Sequence, residues 1–245
     1  MNPAAVTLLA VLLVQAPPDH DTSVDRHASL GTVVRELPGD FRRIASRNPA
    51  LILGAAGAAA LAVVPEDSDI TRAAVNSKAL DRVLVLGHAI GNGYVQFGFA
   101  FGTLFVGQLA KNPAIEDTGA DLVSAQLVSG IITQTIKVSA RRMRPNGGHY
   151  SFPSGHASAT FATASVLQRR FGWKIGIPAY ALGGYVAASR LQDNQHYLSD
   201  VIFGAAIGTV AGLVIKIHKP VGELTASAAP VEGGVALMFV LTPAR

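Results

Sequence analysis

The chain has 245 residues, 49% hydrophobic and only 15% charged, with 20 Lys and Arg against 16 Asp and Glu for a net charge of +4. That length suits one domain with small appendages, and the charge content lies far below the roughly 25% of soluble domains, which points to a bilayer or a very buried core. The lack of Cys excludes a disulfide framework and thiolate metal sites, and no basic stripe interleaved with aromatics appears, which argues against nucleic acid as a partner.

Residues 4–16 form a short apolar run with small residues at Val14 and Ala16. Its length suits the hydrophobic region of a signal peptide, or an N-terminal apolar segment over 1–16, better than a bilayer span. Pro17 directly after it argues against cleavage there. Residues 17–48 are polar and mixed, without a period, and read as a linker. A helical-bundle domain follows over 49–219. Its apolar segments are 49–64, 83–110 (interrupted by Gly91-Asn92-Gly93), 121–138, 155–168, 173–188 and 200–217. The tail, 220–245, ends in an apolar run that is strand-like by composition.

These segments predict an all-α fold, a helical bundle of about six core helices, multi-pass in the membrane, with the active site at one end. Several fall short of the roughly 20 residues of a straight span, so a soluble exported bundle behind a signal peptide stays open. Scarcity of charge inside the segments favours the membrane, and abundant Ala and Gly suit close helix packing there. The Lys/Arg-rich stretches 42–47, 169–174 and 216–219 fall opposite the polar motifs described next. They are expected to be cytoplasmic, which puts the motifs outside. A cleaved leader would invert a six-span count.

The first polar motif runs from Lys137 through six residues to Arg144-Pro145. A spacing of seven puts both cations on one helix face until Pro145 stops the helix. A basic helix end at the interface would explain them, with Arg141 and Arg142, equally well. The second motif is Pro153-Ser154-Gly155-His156. It reads as a helix start with Ser154 near the N-cap, whose free N–H groups form an anion site that Gly155 leaves open. A cationic His156 is disfavoured there by the helix dipole, so a neutral capping histidine is the plainer alternative.

The third motif is Ser189-Arg190, five residues, His196, three residues, Asp200. On a helix His196 and Asp200 share a face, and the carboxylate would fix the imidazole tautomer. A surface histidine beside a helix-start Asp is the common alternative. Arg190, at the end of an apolar helix, either snorkels or meets phosphate oxygens. His149 and Tyr150 read as loop residues rather than substrate contacts.

Taken in order, the three motifs resemble the tripartite signature of the type 2 phosphatidic acid phosphatase/vanadium haloperoxidase superfamily, with every position matched at its spacing. The match is close over 137–200, and the helical pattern extends it to about 49–217. The resemblance implies the membrane-associated lipid phosphatase branch. It makes His196 the nucleophile that forms a phosphohistidine, Asp200 its orienting partner, and His156 the general acid and then base. Lys137, Arg144, Ser154, Gly155 and Arg190 would hold the phosphoryl oxygens.

The expected activity is metal-independent hydrolysis of a lipid phosphate or pyrophosphate: phosphatidate, phosphatidylglycerophosphate or polyprenyl pyrophosphate. No cofactor is expected. Three cations with helix-start amides can stabilise the equatorial oxygens of a phosphoryl transition state, and Asp193 and Asp200 are too few for an oxygen-rich metal cage. The alternatives are a soluble exported acid phosphatase of the same superfamily, a vanadium haloperoxidase, and a membrane protein that binds an anion without turnover.

Overall fold

Residues 7–14, 29–218, 224–231 and 234–241 are described in the computed structural model of the chain. They divide into two units, one within 27–218 and one from the two chain ends. The rest of the expected leader and residues 17–28 of the expected linker lie outside the described residues.

Helix α1 (Leu30–Ile44) starts at Ser29, whose side chain accepts the Thr32 N–H. Val33, Leu37, Phe41 and Ile44 turn one face to the core. This helix occupies part of the stretch expected to be a linker. Its spacing of four, four and three is helical, but the polar surroundings and the internal Pro38 hide it. Helix α2 (Arg47–Val63) continues through a single 3-10 turn into α3 (Asp67–Val75). Two short helices follow, α4 (Lys78–Val83) and α5 (Gly87–Gly91), before α6 (Gly93–Leu109). The expected segment 83–110 is thus broken, and the Asn92 side chain caps α6 by accepting the Tyr94 N–H.

Helix α7 (Pro113–Ala140) is capped by Asn112, which accepts the Ala114 and Ile115 N–H groups, with Pro113 at its first position. Its 28 residues span about 42 Å. Helices α8 (Gly155–Phe171), α9 (Trp173–Gln192) and α10 (Leu198–Val214) complete the bundle. The expected six core helices are α2, α6, α7, α8, α9 and α10.

The core lies where α7, α8 and α10 meet, around Val123, Val128, Ala162, Val166, Val210 and Ala211. Gly204 and Gly208 let α10 lie directly on the start of α8. A Cβ at Gly204 would meet the Ser154 oxygen at 2.5 Å, and one at Gly208 the Ser158 oxygen at 2.1 Å. That close approach fixes where the second motif stands relative to the third.

Polar side chains sit inside this bundle and satisfy one another, as burial requires. Gln126 donates to the Ala159 oxygen and to Thr163 Oγ1, both at 2.9 Å, and Thr163 donates to Gln96 Oε1 at 2.6 Å. The outer face of α6 is apolar. On α6, Tyr94 (91% exposed), Phe99, Phe101, Phe105 and Leu109 face outward, while Gln96, Ala100, Leu104 and Gly107 face inward. A large exposed apolar surface over a partly polar interior marks a contact face rather than a water-facing one. Among the described residues, one helical run, Arg47–Val75, is long and apolar enough by length and composition to cross a membrane, and it is mostly exposed.

The second unit is a three-stranded sheet of β1 (Thr7–Val14), β2 (Leu224–Val231) and β3 (Gly234–Leu241), in the order β1-β3-β2. β1 pairs parallel to β3, with Thr7 opposite Gly234, and β2 pairs antiparallel to β3, with Leu224 opposite Leu241. The helical unit is all-α; the strands come from the end segments alone.

Candidate active site

Lys137 lies in the last turn of α7, mostly buried, and its Nζ donates to the backbone oxygens of Tyr150 at 2.8 Å and Ser151 at 3.4 Å. The helix stops at Ala140 because Arg141 takes a left-handed conformation (φ 48°). Lys137 and Arg144 therefore do not share a helix face, contrary to the spacing argument. Arg144 reaches the site from a loop that doubles back, its N–H donating to the Gly148 oxygen at 2.7 Å. Its Nε donates to the His149 oxygen at 3.0 Å, and its Nη1 to Gln195 Oε1. His149 and Tyr150 thus orient the two cations through their carbonyls.

Ser154 is the N-cap of α8, as expected, and its side chain makes no cap bond. Ser154 Oγ and His156 Nε2 are buried without a protein partner. Such groups are costly unless a ligand satisfies them. Gly155 faces the Lys137 side chain, 3.8 Å from where a Cβ would stand.

His196 also departs from the spacing argument. It lies in the turn before α10, which begins at Leu198, so it shares no helix face with Asp200. Asp200 is the third residue of α10 and closes a capping box, accepting the Tyr197 N–H at 2.9 Å. The same oxygen, Oδ2, accepts Ser151 Oγ and stands 3.6 Å from His196 Nδ1. At that separation the two side chains are close neighbours without a hydrogen bond. The Arg190 oxygen accepts the His196 N–H at 3.3 Å, which holds the turn against the end of α9. Burial, with Lys137 and Arg144 adding to it, holds His196 below the usual histidine value despite Asp200. The imidazole is therefore neutral at neutral pH.

Arg190 is buried, with Nε toward Ser189 Oγ at 3.3 Å, Nη1 toward His88 Nδ1 at 3.1 Å and Nη2 on Asp193. The His88 ring stacks on His156 with centroids 5.3 Å apart. Helix α5 comes this close because Gly87 lies against Ser189, where a Cβ would stand 2.2 Å from its Oγ.

A cavity of about 240 Å³ brings together Lys137, Arg144, Gly155, His156 and His196, and extends along Gly93, Phe97, Gly130 and Thr133. Asp200 lies behind His196, and Ser154 is buried at the start of α8. Arg190 does not line this cavity; its guanidinium is turned to Ser189, His88 and Asp193. Two cationic side chains, helix-start amides and two imidazoles in one region can hold a tetrahedral oxyanion and move a proton to or from it.

Several neighbours carry no motif signal. Arg142, Ser151, Ser199 and Asp67 surround Asp200, and His88 and Gln195 touch Arg190 and Arg144. Only Asp193, three residues after Arg190 on the end of α9, had a local spacing that could have suggested it.

Residues 118–220 match the family model of the PAP2 superfamily. The lipid A 1-phosphatase of Porphyromonas gingivalis is 35% identical over 99 residues, covering 38% of this chain and 22% of that protein. The decaprenylphosphoryl-5-phosphoribose phosphatase of Mycobacterium tuberculosis is 33% identical over 98 residues, covering 36% of this chain and 54% of that protein. The chain thus spans at most about half the length of these curated relatives. In fold, it is similar to the crystal structure of a transmembrane PAP2-type phosphatidylglycerolphosphate phosphatase from Bacillus subtilis, with a TM-score of 0.52 at 19% identity over 75% of this chain and 92% of that one.

Proposed function

We propose that the chain is a phosphatase hydrolysing a lipid phosphate or pyrophosphate without a metal ion, a reading that starts from the match of residues 118–220 to the PAP2 superfamily model. The observation that carries this is the cavity in which Lys137, Arg144, Gly155, His156 and His196, from three separate motifs, converge.

In this reading His196 attacks phosphorus through its Nε2, forming a P–N bond as the P–O bond to the leaving group breaks. Lys137, Arg144, Arg190, Ser154 Oγ and the amide of Gly155 hold the phosphoryl oxygens. His156 gives a proton to the leaving oxygen. In the free site it faces Arg190 and the stacked His88, so the arriving phosphate supplies the negative charge that lets it carry that proton. It then takes a proton from water, whose oxygen attacks phosphorus while the P–N bond breaks and releases His196. Asp200 stabilises the positive charge that develops on His196.

A lipid substrate is supported by the apolar face of α6, since Gly93 and Phe97 of that helix line the cavity. The names of the relatives point the same way. The outward orientation is supported by the basic residues at the far ends of α8 and α10. Arg43 donates to the Val214 oxygen, Arg169 to the Gly212 and Ile215 oxygens, and Lys216 pairs with Glu36. The 17 residues of α8 hold this cluster about 25 Å from the cavity. A cytoplasmic basic end gives the cavity an outward-facing position in the cell membrane.

The test is hydrolysis of phosphatidate, phosphatidylglycerophosphate and polyprenyl pyrophosphate in detergent with EDTA, by wild type and His196→Ala. Activity that disappears with chelator, or persists in the variant, sinks the mechanism. Carbonate extraction of membranes decides location: retention supports the integral reading, and release gives the soluble exported phosphatase.

A further inference from the structure

Arg142 belongs to none of the three motifs, yet it is the cation nearest the back of Asp200. Its Nη1 donates to Asp200 Oδ1 at 2.7 Å and to Ser199 Oγ at 2.6 Å, and its Nη2 to Asp67 Oδ2 at 2.8 Å. The guanidinium also lies 4.4 Å from the ring centre of Tyr197. Asp67, the first residue of α3, further accepts the Ser199 N–H at 2.9 Å and Ser199 Oγ. Both carboxylates are buried, Asp67 at 2% exposure and Asp200 at 0%. One guanidinium therefore serves two buried carboxylates, and the trio keeps one net negative charge beside His196.

We propose that Arg142 and Asp67 are positioning residues that set how much of the Asp200 charge reaches His196, Arg142 by drawing it back and Asp67 by dividing the guanidinium's attention. The proposal rests on His196 being the attacking group. A guanidinium with its planar fork is suited to hold two carboxylates in fixed geometry, which a lysine is not. Because Asp200 Oδ2 is 3.6 Å from His196 and unbonded to it, the link between the two is chiefly electrostatic. It is therefore sensitive to the charge standing behind Asp200. The other charged or titratable groups facing His196 are Lys137 from α7, Arg144 from the following loop and His156 from α8. Arg190 lies beyond them, tied to Asp193 and His88. None of these touches Arg142.

The signs differ for the two residues. Without the Arg142 charge, Asp200 acts in full on His196 and holds a proton there more tightly. Without the Asp67 charge, Arg142 turns wholly to Asp200 and the proton leaves more easily. A mere strut between α3 and α10 would weaken both variants without opposite displacements.

The experiment measures kcat against pH on a short-chain phosphatidate, using the full chain in detergent, with wild type and His196→Ala as references. Arg142→Gln is expected to move the acid limb up by about one pH unit and to lower kcat by about 10–100-fold. Asp67→Asn is expected to move the limb down, and Arg142→Lys, which restores the charge, to return it toward wild type. The His196 ring titration, read by NMR on histidine-labelled protein, should move in the same directions. If wild type has no turnover, the phosphatase reading fails, and the NMR arm alone still decides this proposal. Should Arg142→Gln not fold, the Asp67→Asn displacement decides it. A limb or titration that does not move, or moves the same way in both variants, overturns the proposal.

Discussion

The backbone N–H of Ser154 donates to the backbone oxygen of Asp200 at 2.9 Å, so the second and third motifs are joined by a main-chain hydrogen bond. The Ser154 hydroxyl has no protein partner. The backbone of this residue joins the two motifs, and the proposed function gives its side chain to the phosphoryl group.

Ser154→Ala is therefore expected to leave Tm unchanged while raising the inhibition constant of vanadate, an oxyanion of phosphate shape, by about tenfold or more, the worth of a hydrogen bond to a charged group. Thermal unfolding and inhibition measured on one preparation separate the two effects. A fall in Tm equal to that of a core variant would mean that the hydroxyl has a structural role.

Gly204→Ala should do the reverse. Its new Cβ would lie 2.5 Å from the Ser154 oxygen, forcing α8 away from α10 at a cost of about 1–3 kcal/mol. Activity falls with stability, since the shared Ser154–Asp200 hydrogen bond is displaced. Gly98→Ala is the control, because a Cβ there meets nothing within 4 Å. It should be neutral or raise stability by about 0.5–1 kcal/mol. Denaturant melts of the pair check this.

In the proposed mechanism His196 must be neutral to attack, and its surroundings hold it below the usual histidine value. Activity is therefore present above that lowered value and is lost as pH falls through it. The acid limb of kcat/KM is expected below about 6.5, the ordinary histidine position. A limb above that pH would contradict the assignment. Asp200→Asn should lower kcat by about 10³-fold or more while protein and vanadate still associate, as loss of a histidine's orienting carboxylate does elsewhere.

At the far end of the bundle His218 donates a different pH dependence. Its Nδ1 lies 2.6 Å from Asp121 Oδ1 and its Nε2 3.2 Å from Glu36. The bond to Asp121 raises its affinity for a proton, burial opposes this, and the charges of Asp121 and Glu36 add to the rise. The stabilisation is complete below the ordinary histidine value and is lost as pH rises through the raised one. Tm should thus fall from about pH 6.5 upward, by about 2–4 °C for each kcal/mol lost. His218→Gln should flatten that slope, and an unchanged slope would assign it to another group.

The motif residues were legible because they are close in sequence. Pro153-Ser154-Gly155 reads as a helix start from local chemistry alone, and the structure has Ser154 at that N-cap. His196 and Asp200 were legible as a pair, but not in geometry. Spacing cannot tell whether position 196 is the first turn of a helix or the loop before it. Here the carboxylate of Asp200 captures the Tyr197 N–H and starts the helix after His196. Helix α1 was missed because Pro38 and scattered charges dilute a face that only packing reveals.

By itself, the sequence determined the residue types at the site, the helical class and the apolar character, since each depends on composition or on neighbours a few positions apart. Only the tertiary structure decided what stands behind Asp200. Arg142 is separated from it by 58 residues and Asp67 from Arg142 by 75. No local periodicity links positions so far apart. Their meeting is set by how α3, α8 and α10 pack, with glycines at 204 and 208 allowing the close approach of α10 to α8.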